Sequence, residues 1–134
     1  MITDPEIIVR LFIAAAAGGL VGIERKHFNK PAGIRTLMFV SVGSALFTIF
    51  SDSFTSSDYS RIASGIVTGI GFLGAGTIFQ SKNSVKGLTT AASMWVVAAI
   101  GMAAGLGEYI VTLVVTIMVM MILQLKKIGM IRNI

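Results

Sequence analysis

Five apolar stretches separated by short polar segments make up most of the chain, at about residues 7–23, 36–50, 62–79, 88–106 and 109–125. Each is close to the ~20 helical residues that cross the hydrocarbon core of a bilayer. The apolar residues follow one another rather than alternating with polar ones, which favours helices over the strands of a membrane barrel. The pattern therefore predicts an all-α integral membrane protein, a bundle of about five transmembrane helices in a single domain over residues 1–134.

The polar connectors alternate in charge, and this alternation predicts an orientation. An excess of Lys and Arg marks the cytoplasmic side of a membrane protein. We therefore expect the N-terminus outside and the C-terminus in the cytoplasm, with the side chain of Arg10 reaching the outer interface. The basic residues that mark the inner side lie in the first connector, the third connector and the tail: Arg25, Lys26, Lys30 and Arg35, Lys82 and Lys86, and Lys126, Lys127 and Arg132.

Composition agrees with a membrane protein and narrows the function classes. Charged residues make up 13% of the chain and mean hydropathy is +0.87, whereas soluble domains carry roughly 25% charged residues. The net charge of +5 does not predict nucleic acid binding, because the basic residues cluster at the ends of apolar stretches. Cysteine is absent, which excludes disulfides, thiol catalysis and cysteine-ligated metals. The acidic start of the chain is unlike a cleaved signal peptide, so we expect the first helix to be retained.

The segment GIGFLGAGTIF at 69–79 contains the spacing G-x-G-x-x-G, which also occurs in dinucleotide-binding loops. That loop follows a strand, opens a helix and precedes an acidic residue by about 20 positions. Here the spacing lies inside an apolar stretch, and the next acidic residue is Glu108. A nucleotide site is therefore not predicted, and the glycines need another explanation.

Small residues at intervals of about four let helix backbones approach closely inside a bilayer. In the third stretch one side carries Gly65, Gly69 and Gly76 and the opposite side carries Gly71 and Gly74, so we expect this helix to be central, with neighbours on both sides. The fifth stretch has neither glycine nor alanine and is expected to be peripheral. The predicted packing positions are Gly18, Gly22, Gly65, Gly69, Gly71, Gly74, Gly76, Gly101 and Gly105.

Few charged residues qualify as functional candidates. Glu24 ends the first stretch, and an ion pair with Arg35 across the first connector is the favoured interpretation, the alternative being a functional charge site. Asp52, Asp58 and Glu108 are expected outside, where solvated loop charge is favoured over a weak magnesium site. The residues predict no catalytic group, no metal site and no cofactor site.

Three ordered motifs give the chain a recognisable resemblance. The segments GLVGIERKHFNKPAGIRT, SRIASGIVTGIGFLGAGTIF and VKGLTTAASMWVVAAIGMAAGLG resemble the membrane domain of the MgtC/SapB family, from about Gly19 to Gly107. The resemblance places the family's charged motif on Glu24, Arg25, Arg35 and Thr36. It implies a bacterial inner-membrane protein. Similar proteins support growth in low magnesium and survival inside hosts, and some restrain the proton-translocating ATP synthase. Many members continue into a soluble cytoplasmic domain, which this chain is expected to lack.

Two functions follow as hypotheses. The favoured one is a non-enzymatic membrane protein that packs against itself, with a dimer favoured, or against a membrane partner such as ATP synthase. The alternative is a magnesium or other ion transporter, although the spans offer hydroxyl groups and no carboxylate at mid-membrane. A membrane enzyme is not favoured, because no acid–base pair or nucleophile can be assembled.

Overall fold

The computed structural model describes residues 3–51 and 59–125, apart from the side chain of Ser81. These residues form five helices and one hairpin. The elements, in chain order, are α1 (Asp4–His27), α2 (Ile34–Ser51), α3 (Tyr59–Ala75), β1 (Phe79–Ser81), β2 (Ser84–Lys86), α4 (Leu88–Leu106) and α5 (Tyr109–Gln124). The prediction of an all-α bundle of five helices is confirmed in its helix number, with a small hairpin added.

Three helices of the described chain, α1, α2 and α4, are long and apolar enough to cross a membrane, and α5 is apolar but shorter, at 16 residues. Large apolar side chains point outward from the bundle: Phe12, Phe39, Phe72 and Ile110 are 72–82% exposed. Hydroxyl side chains such as Thr112 are buried instead. This arrangement reverses that of a water-soluble bundle and suits a bundle surrounded by lipid.

The helix ends follow from local sequence. Pro5 and two acidic residues open α1, and three basic residues close it, as the helix dipole favours. Gly107 ends α4 with φ 82°, and the amides of Gly107 and Glu108 donate to the carbonyls of Ala104 and Ala103. Because this cap turns the chain within two residues, α5 can begin at Tyr109 and pack antiparallel to α4.

Helix α4 is the central element of the bundle. It contacts α1, α2, α3 and α5, and its buried Val97 and Ile100 join Val21 of α1 and Leu37 of α2 in the main core. Helix α5 contacts α4 and α1, so its predicted peripheral position is confirmed. The prediction that the third helix is central is wrong, because α3 packs mainly on α4, partly on α2, and leaves much of its surface exposed.

The connector after α3 contains a hairpin that the apolar pattern did not predict. Strands β1 and β2 are antiparallel, Phe79 pairs with Lys86, and Lys82 and Asn83 form the turn between Ser81 and Ser84. Helix α3 therefore ends at Ala75, four residues before the predicted end. A methyl group on Gly87, whose φ is 92°, would overlap the carbonyl oxygen of Thr77. Glycine thus closes the base of the hairpin directly against the start of α4.

Candidate functional site

Four of the predicted packing glycines lie where α2 approaches α1 and α4. A methyl group on Gly18 would lie 2.6 Å from the carbonyl oxygen of Leu37, and one on Gly22 would lie 2.5 Å from Cα of Ile34. The same group on Gly101 would overlap the carbonyl oxygen of Ser41, and on Gly105 it would lie 2.6 Å from that of Ala45. The absence of side chains at these four positions therefore lets the backbones of α1 and α4 approach that of α2 closely. These glycines serve packing inside the bundle.

The glycines of α3 lie in a different environment. A methyl group on Gly65, Gly69 or Gly71 would meet nothing within 4 Å. Gly74 is buried, with Cβ of Ala91 on α4 at 3.4 Å from its methyl position, whereas Gly76 lies beyond the helix and near the carbonyls of Leu73 and Phe72. Among the glycines predicted on this segment, only Gly74 packs against another helix of the described chain.

The open positions of α3 divide into two faces. Ser64, Thr68, Gly71 and Ala75 are all exposed, and they fall within about 60° of one another at the helical period. We call these four residues the outward face of α3. Gly65 and Gly69 lie on the side nearer α2, where they border a groove lined by α2 and α3.

Two residues of the charged motif, Glu24 and Arg25, form a buried cluster at the opposite end of α1 from Arg10. Glu24 and Arg25 are 5% and 3% exposed, and Nη1 of Arg25 lies 3.9 Å from Oε2 of Glu24. The Arg25 guanidinium donates a hydrogen bond of 2.8 Å to the hydroxyl of Thr90, in the first turn of α4. The structure thus joins the charged motif to the segment GLTTAA, residues 87–92, at the start of α4. Nε of Arg25 and Oε2 of Glu24 have no hydrogen-bond partner among the described residues.

The predicted ion pair between Glu24 and Arg35 is wrong. Glu24 faces the bundle interior, and the cation within 4 Å of it is Arg25. Arg35 and Thr36, in the first turn of α2, are exposed. The close approach of α1 to α2 at Gly22 and Ile34 leaves the Arg35 side chain on the outer surface. The charged motif is therefore split between a buried half and an exposed half.

A second polar cluster, at the other end of the bundle, was missed by sequence reasoning. Arg10 pairs with Glu6 one turn earlier and donates a hydrogen bond of 2.6 Å to the carbonyl oxygen of Gly105. The side chain therefore ties α1 to the last turn of α4 rather than only reaching the interface, and it satisfies a carbonyl that the helix itself leaves unpaired. The i,i+4 spacing of Glu6 and Arg10 was the signal available in the sequence.

The described residues contain no group of three His, Asp or Glu side chains that could hold a metal ion. Glu108 is exposed, and His27 packs edge-on against the ring of Phe28 at 5.1 Å. Asp52 and Asp58, which sequence reasoning considered for magnesium, lie outside the described residues, as do Lys126, Lys127 and Arg132 of the tail.

Comparison with known proteins gives one consistent result. The model of the MgtC family matches residues 11–129. The chain is 44% identical over 128 residues to "Putative magnesium transporter YhiD" of Escherichia coli K12, covering 89% of this chain and 60% of that protein. It is 42% identical to "Protein MgtC" of Salmonella typhimurium, covering 84% of this chain and 49% of that protein. It is 51% identical to "Protein MgtC" of Brucella abortus, covering 67% of this chain and 38% of that protein. The chain thus spans about half the length of these relatives. No solved structure matches it.

Proposed function

The chain belongs to the MgtC family, and we propose that it is a non-enzymatic inner-membrane protein that acts by packing against a second copy of itself or against another membrane protein. In this proposal the N-terminus lies outside and the C-terminus in the cytoplasm, and the physiological role is adaptation to low magnesium or to membrane-energy stress. Family membership supports the location and the role, and the glycines of α3 support the mode of action.

The contrast between two sets of glycines carries the proposal. Neighbouring backbone atoms occupy the space that a methyl group would need on Gly18, Gly22, Gly101 and Gly105. A methyl group on Gly65, Gly69 or Gly71 would instead meet nothing within 4 Å. A glycine inside a helix costs about 1 kcal/mol relative to alanine. In α3 this cost is not offset by close packing within the chain, so a contact outside the chain is the physical explanation we favour.

The outward face of α3 suits a helix from another chain. Its residues are small, so a second backbone can approach, and Ser64 and Thr68 add hydroxyl groups that can hydrogen-bond across the contact. The side chain of Phe72 is 82% exposed beside this face, where it can pack against a second helix. A twofold pairing of this face with itself is the simplest closed assembly.

We expect Gly71→Leu to convert a dimer into a monomer, because a branched side chain on the outward face separates the two backbones. A Cβ atom at this position meets nothing within 4 Å and leucine has a higher helix propensity than glycine, so folding should be retained. Crosslinking in native membranes and molar-mass measurement in detergent give the oligomeric state. Ala16→Leu, at an exposed small residue of α1, is the control and should leave the dimer intact.

Two results would contradict the proposal. The first is a wild-type protein that is monomeric in both membranes and detergent. The second is equal loss of the dimer in Gly71→Leu and Ala16→Leu, which would show a general effect of bulk on the bundle surface.

Ion transport is the second candidate, and one observation favours it. Glu24 and Arg25 are ionisable groups buried inside the bundle, and such groups often mark ion or proton pathways. The name of the Escherichia coli relative points the same way. Magnesium uptake into vesicles containing the protein distinguishes the two functions. A flux that Glu24→Gln abolishes would favour transport, whereas vesicles no more permeable than protein-free ones would favour packing.

A further inference from the structure

We propose that the groove between α2 and α3 is a binding site for one phospholipid, with an acyl chain along the groove and the phosphate at Arg61. The groove has a volume of about 510 Å³. Gly43 of α2 and Gly65 and Gly69 of α3 border it, and a methyl group on any of the three would meet nothing within 4 Å. The hollow therefore exists because three side chains are missing along one surface.

The walls of the groove are apolar and suit a hydrocarbon chain. Ile62, Ile66, Ile70 and Leu73 contribute aliphatic side chains from α3, and Phe39 and Phe47 contribute rings from α2. Both rings belong to large side chains that are more than 60% exposed, so the groove is open along its side. Helix α2 is long and apolar enough to cross a membrane. The groove that it borders therefore lies at the depth of the lipid tails.

The length of the groove matches one leaflet. Its α3 residues run from Arg61 to Leu73, which is about 18 Å at 1.5 Å per residue. Half of a hydrocarbon core of roughly 30 Å is about 15 Å. A chain that enters beside Arg61 thus reaches the far end of the groove near the middle of the bilayer.

Charge complementarity selects a phospholipid over an uncharged lipid. Arg61 lines the groove at the end where α3 begins, and it is the charged residue among the lining side chains. A guanidinium has five N–H donors in a fixed fork, and this geometry matches phosphate oxygens even when one donor is already engaged. One cation at the end of an apolar groove suits a phosphate headgroup with an acyl tail.

The site is separate from the outward face of α3, which the dimer proposal uses. Gly69 borders the groove, whereas Gly71 lies on the outward face, about 160° further around the helix at the helical period. The same substitution at these two positions therefore separates the two proposals. Both positions are open, so both variants should fold.

The experiment uses native mass spectrometry of the full chain, delipidated in detergent and titrated with phosphatidylglycerol. We expect one tightly retained phospholipid per wild-type chain, its loss in Gly69→Leu, and its retention in Gly71→Leu. Arg61→Gln should weaken retention by about tenfold, because a charged hydrogen bond to phosphate is lost. The same spectra report the oligomeric state, and circular dichroism checks helix content.

Three outcomes would overturn the lipid proposal. Equal phospholipid retention in wild type and Gly69→Leu would show that the groove is not the site. Loss of the dimer in Gly69→Leu, with phospholipid retained, would assign the groove to a second copy of the chain. Retention unchanged in Arg61→Gln would remove the phosphate contact on which the choice of ligand depends.

Discussion

Replacing Gly101 by alanine should lower the free energy of unfolding by about 3 kcal/mol or more, at the upper end of overpacking effects. The added methyl group would overlap the carbonyl oxygen of Ser41 and lie 2.8 Å from its carbonyl carbon. Backbone atoms cannot turn away as a flexible side chain can. Helices α2 and α4 must therefore move apart, which loosens the core contacts of Leu37, Val97 and Ile100.

Gly43→Ala is the matched control, since Gly43 is also a helical glycine and a methyl group there meets nothing within 4 Å. It should raise the free energy of unfolding by up to about 1 kcal/mol through helix propensity alone. Unfolding by SDS in mixed micelles, followed by circular dichroism, measures both changes. Equal effects of the two substitutions would show that the close approach at Ser41 does not exist.

Replacing Arg25 by alanine should cost about 3–5 kcal/mol, the range found when one member of a buried ion pair is removed. Glu24 would then stay buried without the cation that lies 3.9 Å away, and the hydroxyl of Thr90 would lose its donor. Arg35→Ala is the control and should change stability by less than about 1 kcal/mol, because its side chain is exposed.

The double variant Glu24→Gln with Arg25→Ala separates lost charge pairing from lost packing. Removing the buried carboxylate charge should recover part of the stability lost in Arg25→Ala. Unfolding in the same micelles measures the coupling between the two positions. A loss of stability in Arg35→Ala as large as that in Arg25→Ala would contradict this assignment. It would indicate that Glu24 pairs with Arg35 across the first connector.

The number and order of the helices could be predicted because each follows from a continuous local run of apolar residues. The spacing of small residues wrongly predicted the third helix as the central one, because the third and fourth helices both carry small residues at helical intervals. Gly101 of α4 touches a backbone whereas Gly71 of α3 touches nothing within 4 Å. That difference depends on the tilt and rotation of helices, which arise from long-range packing and leave no mark in a single local pattern.

The candidate site was predictable in its residues and less so in its pairing. Glu24 and Arg25 were identified from motif resemblance, but Glu24 was assigned to Arg35. That assignment rested on the two-pronged hydrogen bonding of arginine to a carboxylate across the first connector, whereas the structure buries Arg25 against Thr90, 65 positions along the chain. The hairpin at 79–86 was missed because strands of three residues give too short an alternation to compete with an adjoining apolar run.

Helix α3 packs closely at its C-terminal end and borders two cavities along its N-terminal half. Its C-terminal end is fastened by Gly74 against Ala91 and by the tight approach of Gly87 to Thr77. Its N-terminal half borders both the groove and a second cavity of about 220 Å³ near Met102 and Leu106. Helix α3 has 17 residues and is about 25 Å long, so a change of about 5° in its tilt would displace its N-terminal tip by about 2 Å. A displacement of that size would change the width of the groove between α2 and α3, so the space beside α2 depends on the tilt of a single helix.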